Sequence, residues 1–215
     1  AVVITQTGGG CRATNYIALI RKALRDSGHA DIPVISLSAV KLDEDNPGFK
    51  LTPTMLKAAV YSVLFGDVMM EMLYRCRPYE ATPGAANQLF EQFMDRARKL
   101  APAFNRRNFT KLSREAIHAF DTMPLVGEGT KPRVGVVGEI LVKFHPTANN
   151  HVVDVIEAEG CEAVVPGLLD FFLYSMSNAT VQKNELGSSV VTRAGMDAAI
   201  GMVDWMREPV EEMLE

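Results

Sequence analysis

Apolar residues fall along this chain in short blocks separated by glycine- and proline-rich turns, and the spacing inside each block assigns an element. Val2 to Ile4 is a continuous apolar run of strand length, while Ala13, Ile17, Ile20 and Leu24 recur at the spacing of one helical face. Ser27-Gly28-His29 puts a glycine where a helix C-terminus favours one, and Ile32-Pro-Val-Ile-Ser-Leu37 reads as a second strand. Strand, helix and strand make a β-α-β unit, for which parallel pairing and a right-handed crossover are the default. Thr52-Pro53 then has the cap-then-proline character of a helix start. Met55 to about Tyr74 is too long and too evenly apolar for a surface helix, which predicts a central or interface helix.

Phe65, Val68, Met69, Met70, Met72 and Leu73 cluster within that helix, either as gap-filling core residues or as a methionine-rich contact surface. Arg77 ends it, because a residue before proline is pushed out of the α region. Arg75 and Arg77 read either as a solvated helix end with a local salt bridge or as a pair of phosphate ligands. Further helices are expected from Pro83 or Gly84 to about Leu100 and from Lys111 to about Phe120. The Pro- and Gly-rich stretch Met123 to Pro132 then marks a domain boundary near Leu125.

Beyond it, Arg133 to Gly138 reads as a strand followed by Glu139, and Asn149 or Asn150 as the cap of a helix running to about Glu159 and closed by Gly160. Glu162 to Val165 is the next strand, Leu168 to about Met176 a helix, and Ser188 to about Met206 another, broken at Pro209. The expected fold is α/β. Residues 1–125 form a first lobe with a helical insert and residues 126–215 a second, each with a small parallel sheet flanked by helices.

Composition narrows the function classes. The chain has 215 residues, 47% of them hydrophobic, enough for a substantial core. A net charge of −4, with Lys and Arg scattered, gives no footprint for nucleic acid. No apolar run reaches the ~20 residues that cross a bilayer, and no basic segment precedes an apolar one, so a cytoplasmic protein is expected. Three scattered cysteines, Cys11, Cys76 and Cys161, argue against a disulfide framework and a self-contained zinc site. Because the chain starts inside a strand and stops just after a helix, it is expected to be a portion of a longer protein.

Candidate chemistry concentrates in Gly8-Gly9-Gly10-Cys11-Arg12, between the first strand and the first helix. Glycines there permit positive φ and close ligand approach, and the helix amides carry the positive end of a dipole. That field and Arg12 favour a thiolate at Cys11. Four readings stay open. Gly8 to Ala13 fits the dinucleotide pattern G-x-G-x-x-A, although the second strand lacks the acidic residue that would hold a ribose. Cys11 could be a nucleophile served by His29, His118, His145 or His151, none of which the sequence ties to it. It could be a small buried thiol in a tight turn. It could ligate a metal or an iron–sulfur cluster. A phosphate loop of the Gly-Lys-Ser/Thr kind is absent. In the second lobe, Glu139 and the helix N-terminus at Asn149, Asn150 and His151 are candidates to line a ligand cleft. His145 and His151 lack the spacing of a helical metal pair.

Several longer segments together resemble one family. They are Gln6 to Tyr16, Asn46-Pro-Gly-Phe49, Arg77-Pro-Tyr-Glu80, Lys131 to Lys143 and His145-Pro-Thr-Ala-Asn-Asn-His151. The family is the large bacterial 2-hydroxyglutaryl-CoA dehydratase activators, or CoA-substrate-specific enzyme activases. There, an actin- and hexokinase-like ATPase region precedes a region similar to the iron–sulfur subunits of 2-hydroxyacyl-CoA dehydratases, and this chain resembles the latter. The resemblance implies a module of ATP-driven, low-potential electron transfer, with Cys11 as candidate ligand of an iron–sulfur cluster, [4Fe-4S] by expectation. Gly8, Gly9, Gly10, Arg12, Glu139 and Asn150 are the accompanying cofactor-binding candidates. Cys76 and Cys161 stand where the family motifs do not require cysteine and are assigned to packing. One cysteine cannot hold a cluster, so the chain alone is expected to be inactive and the cluster to need cysteines from elsewhere. The implied partners are an ATPase activase domain, in the same or another chain, and an acyl-CoA. Self-association is compatible with the reading, and neither nucleic acid nor a membrane is expected.

Overall fold

A computed structural model describes residues 1–6, 12–38, 52–174 and 190–214. The chain divides into two compact units, Ala1–Thr52 and Pro53–Glu215. The fold is mixed α/β, mostly helical, with two small parallel two-stranded sheets flanked by helices.

In the first unit, β1 (Val2–Gln6) pairs in parallel with β2 (Val34–Ser38), Val2 opposite Val34. Between them a one-turn 3₁₀ helix, Arg12–Asn15, leads into α1 (Tyr16–Asp26), so the expected β-α-β unit is present. Helix α1 is amphipathic: Ile17 is buried while Leu19 is exposed. Its end has the predicted glycine, since Gly28 sits at φ 80° and the amides of Gly28 and His29 close back onto the carbonyls of Arg25 and Leu24.

The second unit is organised around α2 (Pro53–Cys76), whose 24 residues span about 36 Å at the usual rise. Tyr61, Leu64, Phe65, Val68, Met69 and Met72 face the core, which α3 (Ala85–Leu100) and α4 (Arg106–Asp121) complete. Met69 is 0% and Met72 2% exposed, so these two methionines fill the core, while Met70 is half-buried and lines two cavities. Helix α4 starts at Arg106, five residues before the expected Lys111. Asn105 accepts the amides of Arg107 and Asn108, and Asn108 Oδ1 accepts the Asn105 amide in return. The apolar periodicity begins only after that polar first turn.

Next come β3 (Arg133–Gly135), α5 (Ile140–Phe144), α6 (Val152–Ala158) and β4 (Glu162–Val164), with β3 parallel to β4 and Arg133 opposite Glu162. Strand β3 is shorter than expected: past Val136 the chain turns out of the sheet, and Gly138 sits at φ 144°. Helix α5 is a further departure, nucleated by the carboxylate of Glu139. Helical residues 168–174 (α7) and α8 (Val190–Leu214) finish the unit. Pro209 does not break α8; Met206 and Val210 on either side of it are buried against the core, and that packing offsets the missing amide.

The expected boundary near Leu125 falls inside this unit. The Pro- and Gly-rich stretch is not a free linker but a strap: Ala81 donates to Pro124 O (3.0 Å), Val126 donates to Tyr79 O (2.8 Å), and Glu80 and Leu125 form an antiparallel bridge. Turn residues mark it in sequence, yet their backbone groups are satisfied by the helical body.

Candidate functional site

Arg77–Tyr79 forms a 3₁₀ turn after α2, with Glu80 as its C-cap. The Arg77 fork grips Glu157 of α6 through Nε (2.7 Å) and Nη2 (2.9 Å), with Asn87 at 3.2 Å. This is the ion-pair reading of Arg77 and not the phosphate one. Buried Tyr79 donates its hydroxyl to Glu162 Oε2 (3.0 Å) and accepts the Lys131 amide (3.3 Å). Lys131 Nζ donates to Pro78 O (2.5 Å), and Arg133 Nε donates to Glu162 Oε1 (3.0 Å). Glu80 accepts the first amides of the α3 region, from Gly84 (2.6 Å) and Ala86 (2.8 Å). Thus Arg77 to Glu80 and Lys131 to Arg133 lock the sheet to the helical body. Tyr79→Phe is expected to cost about 1–2 kcal/mol, because Glu162 then keeps one buried oxygen without a donor; urea denaturation measures it, and no loss would show that the hydroxyl carries nothing.

Beside this lock lies a cavity of about 590 Å³, running along β4 and past its carboxyl end over Val165, Pro166 and Gly167, where open α/β sheets place ligands. Helix α2 supplies one wall. Asp67 accepts the amides of Leu168 (2.9 Å) and Leu169 (2.8 Å), capping α7 from another helix. Gly167 makes room for this: a Cβ there would stand 3.0 Å from Asp67 Oδ2 and 3.2 Å from Asp170 Oδ2. Loss of solvent raises the Asp67 pKa, and the Asp170 charge adds to it, against the pull of the two amides. One turn on, Glu71 is raised by the same loss of solvent, partly offset by Arg75. Among the described residues, the lining holds six carboxylates against three arginines and includes no His, Cys, Ser or Thr.

Asp67 and Glu71 escaped the reading of the sequence, although a signal was present. They are the only acids in the otherwise apolar and basic stretch of α2, spaced i, i+4 and therefore on one face.

Of the residues singled out from sequence, Gly8, Gly9, Gly10 and Cys11 lie outside the described residues. Arg12 is exposed at the start of the 3₁₀ turn. Glu139 accepts the amides of Leu141 (2.9 Å) and Val142 (3.2 Å) as the cap of α5. Asn149, not Asn150, caps the turn into α6 through the Val152 amide (3.2 Å), while Asn150 is exposed at φ 55°. Asn149 and His151 border a second cavity of about 440 Å³ with Arg77 and Lys143; Glu139 and Asn150 line neither cavity.

The described cysteines do not fit a cluster. Cys76 is buried in the core, and burial pushes its thiol up to about 11, away from the thiolate a metal needs. Cys161 is half-buried after α6, with its thiol 4.0 Å from Glu159 O. Among the described residues no three His, Cys, Asp or Glu side chains are grouped to hold a metal, and no helix is long and apolar enough to cross a membrane. No protein-family model matches the chain, and neither a curated protein nor a solved structure is significantly similar to it.

Proposed function

We propose that this chain is the dehydratase-like module of an ATP-dependent 2-hydroxyacyl-CoA dehydratase activase, serving low-potential electron transfer within a longer protein. The observation that carries the reading is the joint occurrence of five motif segments over nearly the whole chain, from Gln6-Thr-Gly-Gly-Gly-Cys11 to His145-Pro-Thr-Ala-Asn-Asn-His151. Supporting it, two of those segments more than 50 residues apart act on one another: Tyr79 bonds the Lys131 amide, and Lys131 bonds the Pro78 carbonyl. Motif residues that build a shared scaffold are what a common architecture requires, and they carry no chemistry themselves.

Cys11 is the proposed cluster ligand in the longer protein, completed by cysteines outside this chain. The alternatives are a docking domain for the ATPase part and a nucleotide- or CoA-binding domain. Docking through the methionines of α2 is disfavoured because Met69 and Met72 are core residues.

Iron and acid-labile sulfide, measured on the anaerobically purified longer protein and on this chain, test the reading. Stoichiometric iron is expected in the former and not the latter, and Cys11→Ser is expected to lower it and to abolish ATP-dependent reduction. Unchanged iron and reduction in that variant would remove Cys11 from the ligand set; no iron in either protein would sink the electron-transfer reading.

A further inference from the structure

Among the described residues, strand β4 is paired along one edge only. In its parallel register with β3, the Glu162 amide donates to Pro132 O (2.8 Å) and Val164 O accepts the Val136 amide (2.9 Å). Glu162 and Val164 therefore turn their peptide groups toward β3, and Ala163 between them turns its own away. The N–H and C=O of Ala163 find no hydrogen-bond partner among the described residues. Ala163 is only 3% exposed, and backbone groups buried to that degree are nearly always paired. This edge is shaped for a ligand that offers an acceptor and a donor together.

The cavity of about 590 Å³ runs along that same edge. Successive side chains of a strand point to opposite faces, yet Glu162, Ala163 and Val164 all line the cavity, followed without a gap by residues 165–167. A space that meets every residue in turn lies beside the strand and not over one of its faces. Open strand edges are ordinarily blunted by lysine or proline, and Glu162-Ala163-Val164 has neither. Leu64 and Val68 of α2 give the space an apolar wall, and its lining carries six carboxylates against three arginines.

We propose that this cavity takes an extended cationic peptide, which adds to β4 as a further strand through the peptide groups of Ala163. Main-chain bonds give such a contact its affinity, while alternate side chains set its specificity, here apolar residues for the wall of α2 and lysines for the acidic surplus. The inference is independent of the electron-transfer reading, on which only the iron measurement bears.

The probe is the peptide Ac-Val-Lys-Val-Lys-Val-NH2, titrated calorimetrically into the 215-residue chain. Two backbone-methylated forms, one with N-methyl groups on its valines and one on its lysines, keep every side chain and remove the donors of one edge each. Saturable binding of the parent is expected, with one methylated form at least about tenfold weaker and the other close to the parent, as bonding along a single edge requires. The peptide with glutamate in place of lysine should bind more weakly than the parent. At saturation, hydrogen exchange at the Ala163 amide, followed by nuclear magnetic resonance, should slow at least about tenfold, which places the peptide on this edge and not on another. Equal affinity of the two methylated forms would overturn the proposal, as would a glutamate peptide binding as tightly as the parent, unaltered Ala163 exchange at saturation, or no saturable binding of the parent.

Discussion

Phe109→Ala is expected to destabilise the larger unit by about 3–5 kcal/mol, the largest effect of any single substitution considered for this chain. Phe109 is 0% exposed and lies on α4 with its ring 5.0 Å from that of Tyr61 on α2, in a tilted arrangement. Truncation removes the transfer free energy of a whole aromatic side chain, its pairing with Tyr61, and leaves a void that Leu112 and Leu64 cannot fill from their own helices without moving backbone. The same ring floors the cavity beside β4, so the loss should also soften the wall that carries Asp67 and Glu71. Guanidinium denaturation followed by far-ultraviolet circular dichroism measures it. A loss below about 1 kcal/mol would mean that α4 does not pack on α2 through this residue.

The second large effect concerns Asp67, where two opposing contributions can be separated. Its carboxylate satisfies two amides at the start of α7, and Asp67→Ala leaves both without an acceptor, a loss of about 1–3 kcal/mol. Asp67→Asn keeps one acceptor oxygen and removes the charge, so it should cost less than half as much. The pH dependence distinguishes the charge from the hydrogen bonds. Burial raises the Asp67 pKa in the folded chain, so the folded state holds this proton more tightly than the unfolded state. Ionisation therefore works against folding above the folded pKa. As pH falls from there to the ordinary aspartate value, the wild type should gain stability relative to Asp67→Asn. Stability curves of both proteins between neutral pH and about pH 4 test the sign, and a wild-type advantage that grows with rising pH would contradict it.

Much of the architecture was legible in the chain. The first β-α-β unit followed from the apolar run at Val2, the helical spacing of Ile17, Ile20 and Leu24, and the glycine after Ser27. The long buried helix followed from its even apolarity, and the strand pair Arg133 and Glu162 from composition. What stayed hidden was set by tertiary contact. A polar first turn at Asn105 to Asn108 has no apolar period to reveal it, and only its reciprocal side-chain bonds make it helical. Pro209 reads as a stop because local sequence does not show the burial of Met206 and Val210 that carries α8 past it. Met123 to Pro132 has the composition of a linker, and no local rule foretells that Tyr79 and Glu80 pair with it. For the site, sequence drew attention to glycines and a cysteine, whereas two of the six acids lining the cavity beside β4, Asp67 and Glu71, stand out only against the apolar background of α2.

The strap at Pro124 to Lys131 decides where this chain can be cut. A truncation at Leu125 would take from Tyr79 its partners Lys131 and Glu162, from Arg77 its partner Glu157, and from Asp67 the two amides it caps. It would leave the Tyr79 hydroxyl and the Asp67 carboxylate without these partners and Arg77 with Asn87 alone, and would uncover the apolar residues of α2 that α8 buries, a surface prone to self-association. A truncation before Pro53 severs none of these bonds, so the larger unit, rather than either half of the expected division, is the piece to carry forward for soluble expression and labelling.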